Sequence, residues 1–481
     1  MRPLNLVELV HLLQSPTKIR FDSHSGLTVH PQRCEELLKD PHFRIRGVAI
    51  DSRHVKNDFL FAALKGENCH GLDHAGSAFD SGACLLMSEK GKAADHPLPV
   101  LEVDDVQQAL VHLATSLQSS EFDPPKTVAV TGSVGKTTTC HLGAQLSKGT
   151  YSVHSPRGSF NNFLGLPVTI LEAPEETDLL WLELGTNQPG EISALAQISQ
   201  PHVAIVTAVG ATHLEGLGSV EGVLREKFSI FDSKVAELAI APVDFREETI
   251  PVPCWWTGPG GDVVVTADKD VNGMWRVEHR PLGYSFEVRT NLKGQGSLRC
   301  FESAVAALLH LGVSPERIQE LAPTVGLPRL RQEEHSVAGV DLVLDCYNAS
   351  PPSMISALTD LKESAAKSRV AVLGTMEELG SDEVKYHREV GRFCSEQGID
   401  HVFCCGRGAA WLAEGVADGG GSAQILSQGA IDTAALEEVL DSGSRVLFKA
   451  SRKVELEKFA IVLKEKLVQR EMELGERGVV S

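Results

Sequence analysis

Val128-Ala-Val-Thr-Gly-Ser-Val-Gly-Lys-Thr-Thr-Thr139 decides how the rest of the chain is read. Its three leading apolar residues, Val128 to Val130, read as the end of a buried strand. A glycine-containing turn follows, and Lys136 with three threonines opens a helix. Gly132 and Gly135 let the backbone turn tightly and bring its N–H groups against a phosphate. The helix N-terminus adds the positive end of its dipole. In such a loop Lys136 is a mobile point charge for a phosphate chain, and the Thr137 hydroxyl is placed to ligate Mg²⁺. Ser133 and Thr138 complete the candidate cradle. The short form Gly-x-x-Gly-Lys-Thr is intact, but the glycine that the longer pattern puts five residues ahead of Gly135 is Val130 here. The competing reading is a glycine-rich turn carrying an exposed lysine.

A length of 481 residues suits about three domains, and 42% hydrophobic residues suffice for ordinary cores. The net charge of −19 argues against nucleic acid or an anionic membrane surface as the main partner. Anionic small substrates stay open, since a local Lys/Arg/Mg²⁺ cluster dominates at close range. The ten cysteines form no C-x-x-C pair, so reduced thiols are the simplest reading. Residues 1–16 lack the parts of a signal peptide, and no apolar run is long enough to span a bilayer. A monomer in the cytoplasm, without membrane insertion, is the expectation.

The fold class expected is α/β in three units: a small α/β unit over 1–122, a central phosphate-loop unit with a mostly parallel sheet over 123–325, and a second doubly wound unit over 326–481. In the first, a loop at Ser52 and Arg53 follows the strand from Gly47 and offers a ligand position, although an ordinary polar turn explains it as well. Ser119–Pro125 reads as a linker. In the second, Leu179–Leu184 and His202–Ala208 are strands whose carboxyl ends carry Glu183 and lead to His213. The phosphate loop lies at a third such end, which is where an open parallel sheet gathers its ligands. Residues 261–293 alternate as a hairpin with Asn272-Gly273 in its turn. In the third unit, strands at 340–345, 369–374, 401–406 and 445–449 are each followed by a helical pattern. The charged segment Arg452–Glu473 reads as an amphipathic helix with a solvated face.

Several stretches together resemble one family, the Mur ligases, and within it the MurF branch. They are Thr131–Thr139, Asn161-Asn-Phe-Leu-Gly-Leu-Pro167, Glu183-Leu-Gly-Thr-Asn-Gln-Pro-Gly-Glu-Ile192, and Thr212-His-Leu-Glu-Gly-Leu-Gly-Ser219 with Lys227. Further on are Asp345-Cys-Tyr-Asn-Ala-Ser-Pro351, Gly374-Thr-Met-Glu-Glu-Leu-Gly380 with His387, and Lys449-Ala-Ser-Arg452. The resemblance covers nearly the whole chain and implies a UDP-substrate-binding domain over 1–122, a central P-loop ATPase over 123–325 and a C-terminal Rossmann-like domain over 326–481. It implies an ATP-dependent ligase that adds D-alanyl-D-alanine to UDP-MurNAc-tripeptide through an acyl phosphate, in peptidoglycan precursor synthesis. The alternatives are a related ligase with another amine donor and a nucleotide-binding regulatory relative.

The resemblance also implies roles. Lys136 holds the β/γ-phosphates, while Thr137 and Glu183 hold a first Mg²⁺. His213 and a carbamylated Lys227 hold a second metal. Without the family, Lys227 reads more simply as a surface lysine on the charged face Arg225-Glu226-Lys227. Arg331 reaches the γ-phosphate, with Arg329 as a rival. Asp345 holds the ribose, and Asn348 lies near the incoming dipeptide. Asn161, Asn162, Thr186 and Asn187 face the muramoyl-peptide arm, and Ser52 and Arg53 belong to the nucleotide-sugar domain. One stretch departs from the pattern: the family's His-Asn-x-x-Asn corresponds to Arg299, Cys300 and Ser303, leaving Ser303 in the adenine-contacting position. Thr375 and Ala450 are smaller departures in the third unit.

Overall fold

The computed structural model describes residues 3–14, 28–29, 42–66, 69–93, 99–233, 236–268, 271, 273–427 and 431–478. Three sheets organise these residues.

The first sheet runs in the order Thr28–Val29, Val100–Val103, Ala83–Glu89, Phe59–Ala62, Gly47–Ala49. All pairs are parallel except the one made by Thr28–Val29. The helix Val106–Leu117 starts on Asp105, whose carboxylate accepts from the Gln108 N–H at 2.9 Å, a side-chain cap on an otherwise unpaired donor. Its apolar residues, Leu110 and Leu113 among them, join one core with Leu166, Leu182 and Ile192 of the central region. The Ser119–Pro125 segment, with a 3₁₀ turn at Ser120–Phe122, therefore connects parts that share a hydrophobic interior and does not tether a separate body.

The central sheet has nine strands. Lys126–Thr131 lies between Leu179–Glu183 on one side and Val203–Val206 on the other, both parallel to it. From there the chain builds outward in two opposite directions, so the end of Lys126–Thr131 is a topological switch point. The expected hairpin is present as Val263–Ala267 paired antiparallel with Met274–His279, and Tyr284–Arg289 pairs antiparallel with the latter in a second hairpin. Asn272 lies outside the described residues; Gly273 beside it has φ 76°.

The helix Lys136–Leu146 packs on this sheet so closely that Gly143 has no room for a side chain. A Cβ there would lie 2.3 Å from the ring of Trp181, which is itself fully buried with its Nε1 donating to Ser147 Oγ at 3.2 Å. A rigid indole cannot yield in a close-packed interior. Gly143→Ala is expected to destabilise the protein by about 1–3 kcal/mol; an unchanged denaturation midpoint would show that the helix has freedom to slide.

The third sheet, ordered Glu333–Val337, Val340–Asp345, Ser444–Lys449, Ser368–Gly374, His401–Cys405, Ala423–Ile425, is parallel apart from its first strand. The final helix, Glu457–Gly478, is only partly the solvated element expected. Phe459, Ala460, Leu463 and Leu467 are buried in the core of this sheet. Among the described residues no helix is long and apolar enough to cross a membrane.

Candidate active site

The carboxyl ends of the central and third sheets face one cavity of about 1110 Å³. The first supplies the phosphate loop, Glu183 and Thr207. The second supplies Asp345 and Lys449.

The loop is shaped by two left-handed glycines. Gly135, at φ 88°, is the residue before the helix begins. Gly132 has φ 145°, and a Cβ on it would strike Thr207 Oγ1 at 2.1 Å, so only glycine fits. Ser133 is held from the neighbouring strand end: its N–H donates to the Ala208 carbonyl at 2.8 Å, and its hydroxyl bonds Gly210 and Thr212. The first helical N–H groups after Gly135 have no acceptor within the helix, and they open onto the cavity lined by Val134 to Thr138.

Lys136 is not the exposed lysine of the competing reading. It is half-buried, and its Nζ donates to the Gly132 carbonyl at 2.7 Å. Burial pushes its pKa below the ordinary lysine value, and Arg331 adds to this while Glu183 opposes it. Thr137 Oγ1 lies 2.6 Å from Glu183 Oε2 and accepts from Arg331 Nη2 at 2.9 Å. Arg331 stacks over the Tyr347 ring at 4.4 Å, and Tyr347 Oη in turn meets Ser159 Oγ at 2.5 Å. Arg331 thus reaches the phosphate loop from the third sheet's side. Arg329, its rival, is exposed and does not line the cavity.

Glu183 is 2% exposed. Its second oxygen, Oε1, accepts from Asn161 Nδ2 at 2.8 Å, so Asn161 orients the carboxylate directly. Asn162 lines the cavity while its Oδ1 caps the helix Gly165–Glu172 through the N–H groups of Leu164 and Gly165.

Lys227 corrects the simpler of its two readings. It is fully buried, and among the described residues its Nζ has no hydrogen-bond partner. Its neighbour Glu226 is buried too and serves another purpose. Glu226 accepts from the N–H groups of Gly190 at 2.7 Å and Ile192 at 2.8 Å, pinning the loop after Glu183. Burial pushes the Lys227 amine well below the ordinary lysine value; Lys136 strengthens the shift, and Glu226, Glu183 and Glu191 oppose it. Burial therefore favours the neutral, nucleophilic form of this amine over a solvated cation.

His213 sits in a left-handed conformation at φ 53°. Its Nδ1 lies 2.6 Å from Glu378 Oε2 but off the direction of a ring N–H, so the contact is an ion-pair distance without hydrogen-bond geometry. The two partners pull differently: contact with His213 holds Glu378 low, whereas burial holds His213 low. Burial is the larger influence on the ring and favours its uncharged form. Glu378 is itself left-handed at φ 63° in a loop that His387 fixes. His387 Nε2 accepts from the Met376 N–H at 2.9 Å, and its Nδ1 meets the Glu383 carbonyl at 2.7 Å.

Four assigned residues are engaged locally or lie away from this cavity. Ser303 does not line the cavity: it is buried, and its hydroxyl donates back to the Arg299 carbonyl one helical turn earlier at 3.1 Å. Arg299 and Cys300 line the cavity in its place. Thr186 is on the wall, but its hydroxyl is occupied by the Gln188 carbonyl at 2.8 Å and by Glu191. Ser52 and Arg53 lie outside this cavity. Arg53 is spent on Asp51, which it chelates through Nε at 2.9 Å and Nη2 at 2.5 Å, driving that carboxyl to about 2. Asn187, Asp345 and Asn348 do line the cavity. Asp345 is paired with a buried lysine that the sequence reading treated only as part of a motif: Lys449 Nζ donates to its Oδ2 at 2.6 Å.

Three family models match in succession: "Mur ligase family, catalytic domain" over 44–117, "Mur ligase middle domain" over 130–250 and "Mur ligase, glutamate ligase domain" over 329–452. A Bacillus subtilis protein called UDP-N-acetylmuramoyl-tripeptide–D-alanyl-D-alanine ligase is 32% identical, covering 87% of this chain and 94% of its own. The chain belongs to the Mur ligase family. A Synechocystis relative of the same name is 31% identical over 86% of this Mur ligase and 90% of that protein. Among solved structures, MurF from Acinetobacter baumannii superposes with TM-score 0.81 at 27% identity, covering 97% and 99% of the two chains. MurF ligase from Thermotoga maritima, in complex with ADP, gives 0.76 at 28% identity over 89% and 99%. The three-sheet arrangement of this Mur ligase is thus that of solved MurF structures.

Proposed function

We infer that this Mur ligase uses ATP to join D-alanyl-D-alanine to the free carboxylate of UDP-MurNAc-tripeptide. The observation that carries the reading is the meeting, in one cavity, of Lys136, Thr137, Glu183 and Arg331, with the buried, unpartnered Lys227 near them. The relatives named for this activity align along most of their length.

A carboxylate is a poor electrophile. Its oxygen attacks the γ-phosphorus of ATP, ADP leaves, and an acyl phosphate remains. The dipeptide amine then attacks the acyl carbon; the C–N bond forms as the C–O bond to phosphate breaks, and the amine proton leaves on the departing phosphate. Both steps crowd anions together. Two like unit charges 4 Å apart at an effective dielectric of about 20 repel by about 4 kcal/mol, so fixed cations decide whether the reactants can meet. Lys136 and Arg331 supply them from different sheets. Tyr347 and Ser159 brace the same junction, and closure there keeps water from the acyl phosphate.

Among the described residues no group of three His, Cys, Asp or Glu side chains is placed to hold a metal ion. Mg²⁺ takes one or two carboxylates together with substrate phosphates, and Glu183 beside the Thr137 hydroxyl at 2.6 Å is a donor pair of that kind. Thr137 and Glu183 would hold one ion, and His213 with a carbamylated Lys227 a second; bound there, Mg²⁺ would neutralise charge on the transferring phosphoryl group. Carbamylation needs a free amine, and the unpartnered Lys227 Nζ is one.

The test is phosphate release from ATP with UDP-MurNAc-tripeptide, with and without D-alanyl-D-alanine. Release that needs both substrates is expected. Equal release with unrelated amine donors would overturn the substrate assignment, and no release at all would overturn the ligase reading.

A further inference from the structure

The cavity wall continues from the phosphate loop to the segment after the strand Leu238–Pro242. Cys300 Sγ lies 3.6 Å from the Gly135 carbonyl, and Arg299 precedes it on the wall. A Cβ on Gly258 would meet both Val243 Cγ1 at 3.5 Å and Arg299 Nη1 at 4.0 Å, so Arg299 stands beside residues 242–245. There Pro242 and the half-buried Phe245 ring are apolar, and Asp244 adds an exposed carboxylate. Phe245 is set edge-on to Phe228, ring centres 5.7 Å apart. Apolar faces with a few in-plane polar groups suit a planar base.

Arg299 is held in place. Its Nη1 donates to both oxygens of Glu302 at 2.8 Å. Glu302 is fully buried and also accepts from the Val265 N–H at 2.6 Å. A buried carboxylate is costly unless paired, and this one is committed to a single guanidinium. The other guanidinium nitrogens are not used by Glu302.

Resting on the nucleotide-binding reading above, we propose that Arg299, positioned by Glu302, reads the nucleobase and makes this site purine-tolerant, accepting guanine and hypoxanthine triphosphates as well as ATP. A guanidinium offers donors only. The O6 and N7 edge of guanine or hypoxanthine presents two acceptors in one plane, the geometry that arginine meets bidentately. The matching edge of adenine sets a donor, the 6-amino group, beside N7, so one arginine donor faces another donor. An asparagine or glutamine amide answers that edge because it both donates and accepts. Asp244 provides an acceptor on the same segment for N1–H.

The experiment compares kcat/KM for ATP, GTP and ITP in the complete two-substrate reaction, for the unaltered protein, Arg299→Asn and Glu302→Gln. GTP and ITP are expected within about ten-fold of ATP for the unaltered protein. Arg299→Asn should move the ratio toward ATP by roughly ten-fold or more. Glu302→Gln should move it the same way, whereas a packing role would lower all three alike. If Glu302→Gln does not fold, as judged by thermal melting, Arg299→Asn decides alone. ATP turnover with GTP and ITP a thousand-fold poorer, or a ratio that Arg299→Asn leaves in place, overturns the inference and leaves the ligase reading standing. Failure of all three nucleotides overturns both.

Discussion

Lys136→Ala is expected to lower turnover by about 10²–10³-fold or more, the loss that follows removal of one preorganised charge from a reacting centre. The protein should stay folded. Lys136 Nζ has one local partner, the Gly132 carbonyl, and Gly132 is also held by its fit against Thr207. The Ser133 N–H bond to Ala208 and the hydroxyl contacts to Gly210 and Thr212 persist without the lysine. What disappears is the cation between the phosphate chain and Glu183. Arg331 cannot substitute for it, because its Nη2 is engaged on Thr137 and its plane is stacked on Tyr347. The measurement is steady-state phosphate release together with thermal melting. Near-normal turnover in a folded variant would show that the triphosphate binds elsewhere.

The second large effect concerns Lys227. A buried amine with no partner costs about 1–3 kcal/mol. Lys227→Met, similar in length and apolar, should therefore abolish turnover while raising stability by about 1–2 kcal/mol. A residue whose loss stabilises the fold is being kept for chemistry. The pH dependence has a definite sign. Folding lowers this amine's pKa well below its ordinary 10.5, so between the two values the unfolded chain binds more protons. Stability then rises with pH across that window, and Lys227→Met should flatten the rise. Measured in bicarbonate-free buffer, an unchanged slope would mean that the amine is charged in the fold. Lys227→Ala tests the carbamate itself. It leaves a space beside Glu183 and His213 that a short carboxylic acid can fill, and partial recovery of turnover is expected. No recovery, combined with indifference of the unaltered protein to bicarbonate, would remove the carbamate from the mechanism.

The chain shows how far local pattern carries a reading. Strand, glycine turn and helix at 128–139 are dictated by residues adjacent in sequence, and so are the apolar runs that end on Glu183 and Asp345. Alternation of such runs with helical patterns is enough for parallel sheets, whose carboxyl ends collect ligands. Lys136, Thr137 and Glu183 were legible for that reason. The 2.6 Å contact of Thr137 with Glu183, and the cavity they share with Lys136, follow from parallel neighbouring strands.

Other assignments depended on what lies across a gap between sheets, and no local pattern records that. Arg225-Glu226-Lys227 looks like a solvated charge run because helical charge runs usually are. Here the helix Val220–Phe228 is pressed against the loop after Glu183, so Glu226 caps backbone N–H groups and Lys227 loses its water. Arg329 and Arg331 are equivalent by composition; only the approach of the third sheet puts Arg331 on Thr137. Ser303 and Arg299 share a helix face one turn apart; the cavity reaches only the first turns of the helix, so the arginine lines it and the serine, one turn further along, is in the core. Glu378 meeting His213 joins residues 165 positions apart, each in a left-handed backbone conformation. The sequence by itself determined the phosphate cradle, the α/β layering and the family, because each rests on short-range spacing. The tertiary structure alone decided which charged groups lose solvent and which partner each receives, because desolvation and pairing are properties of the assembled space between sheets.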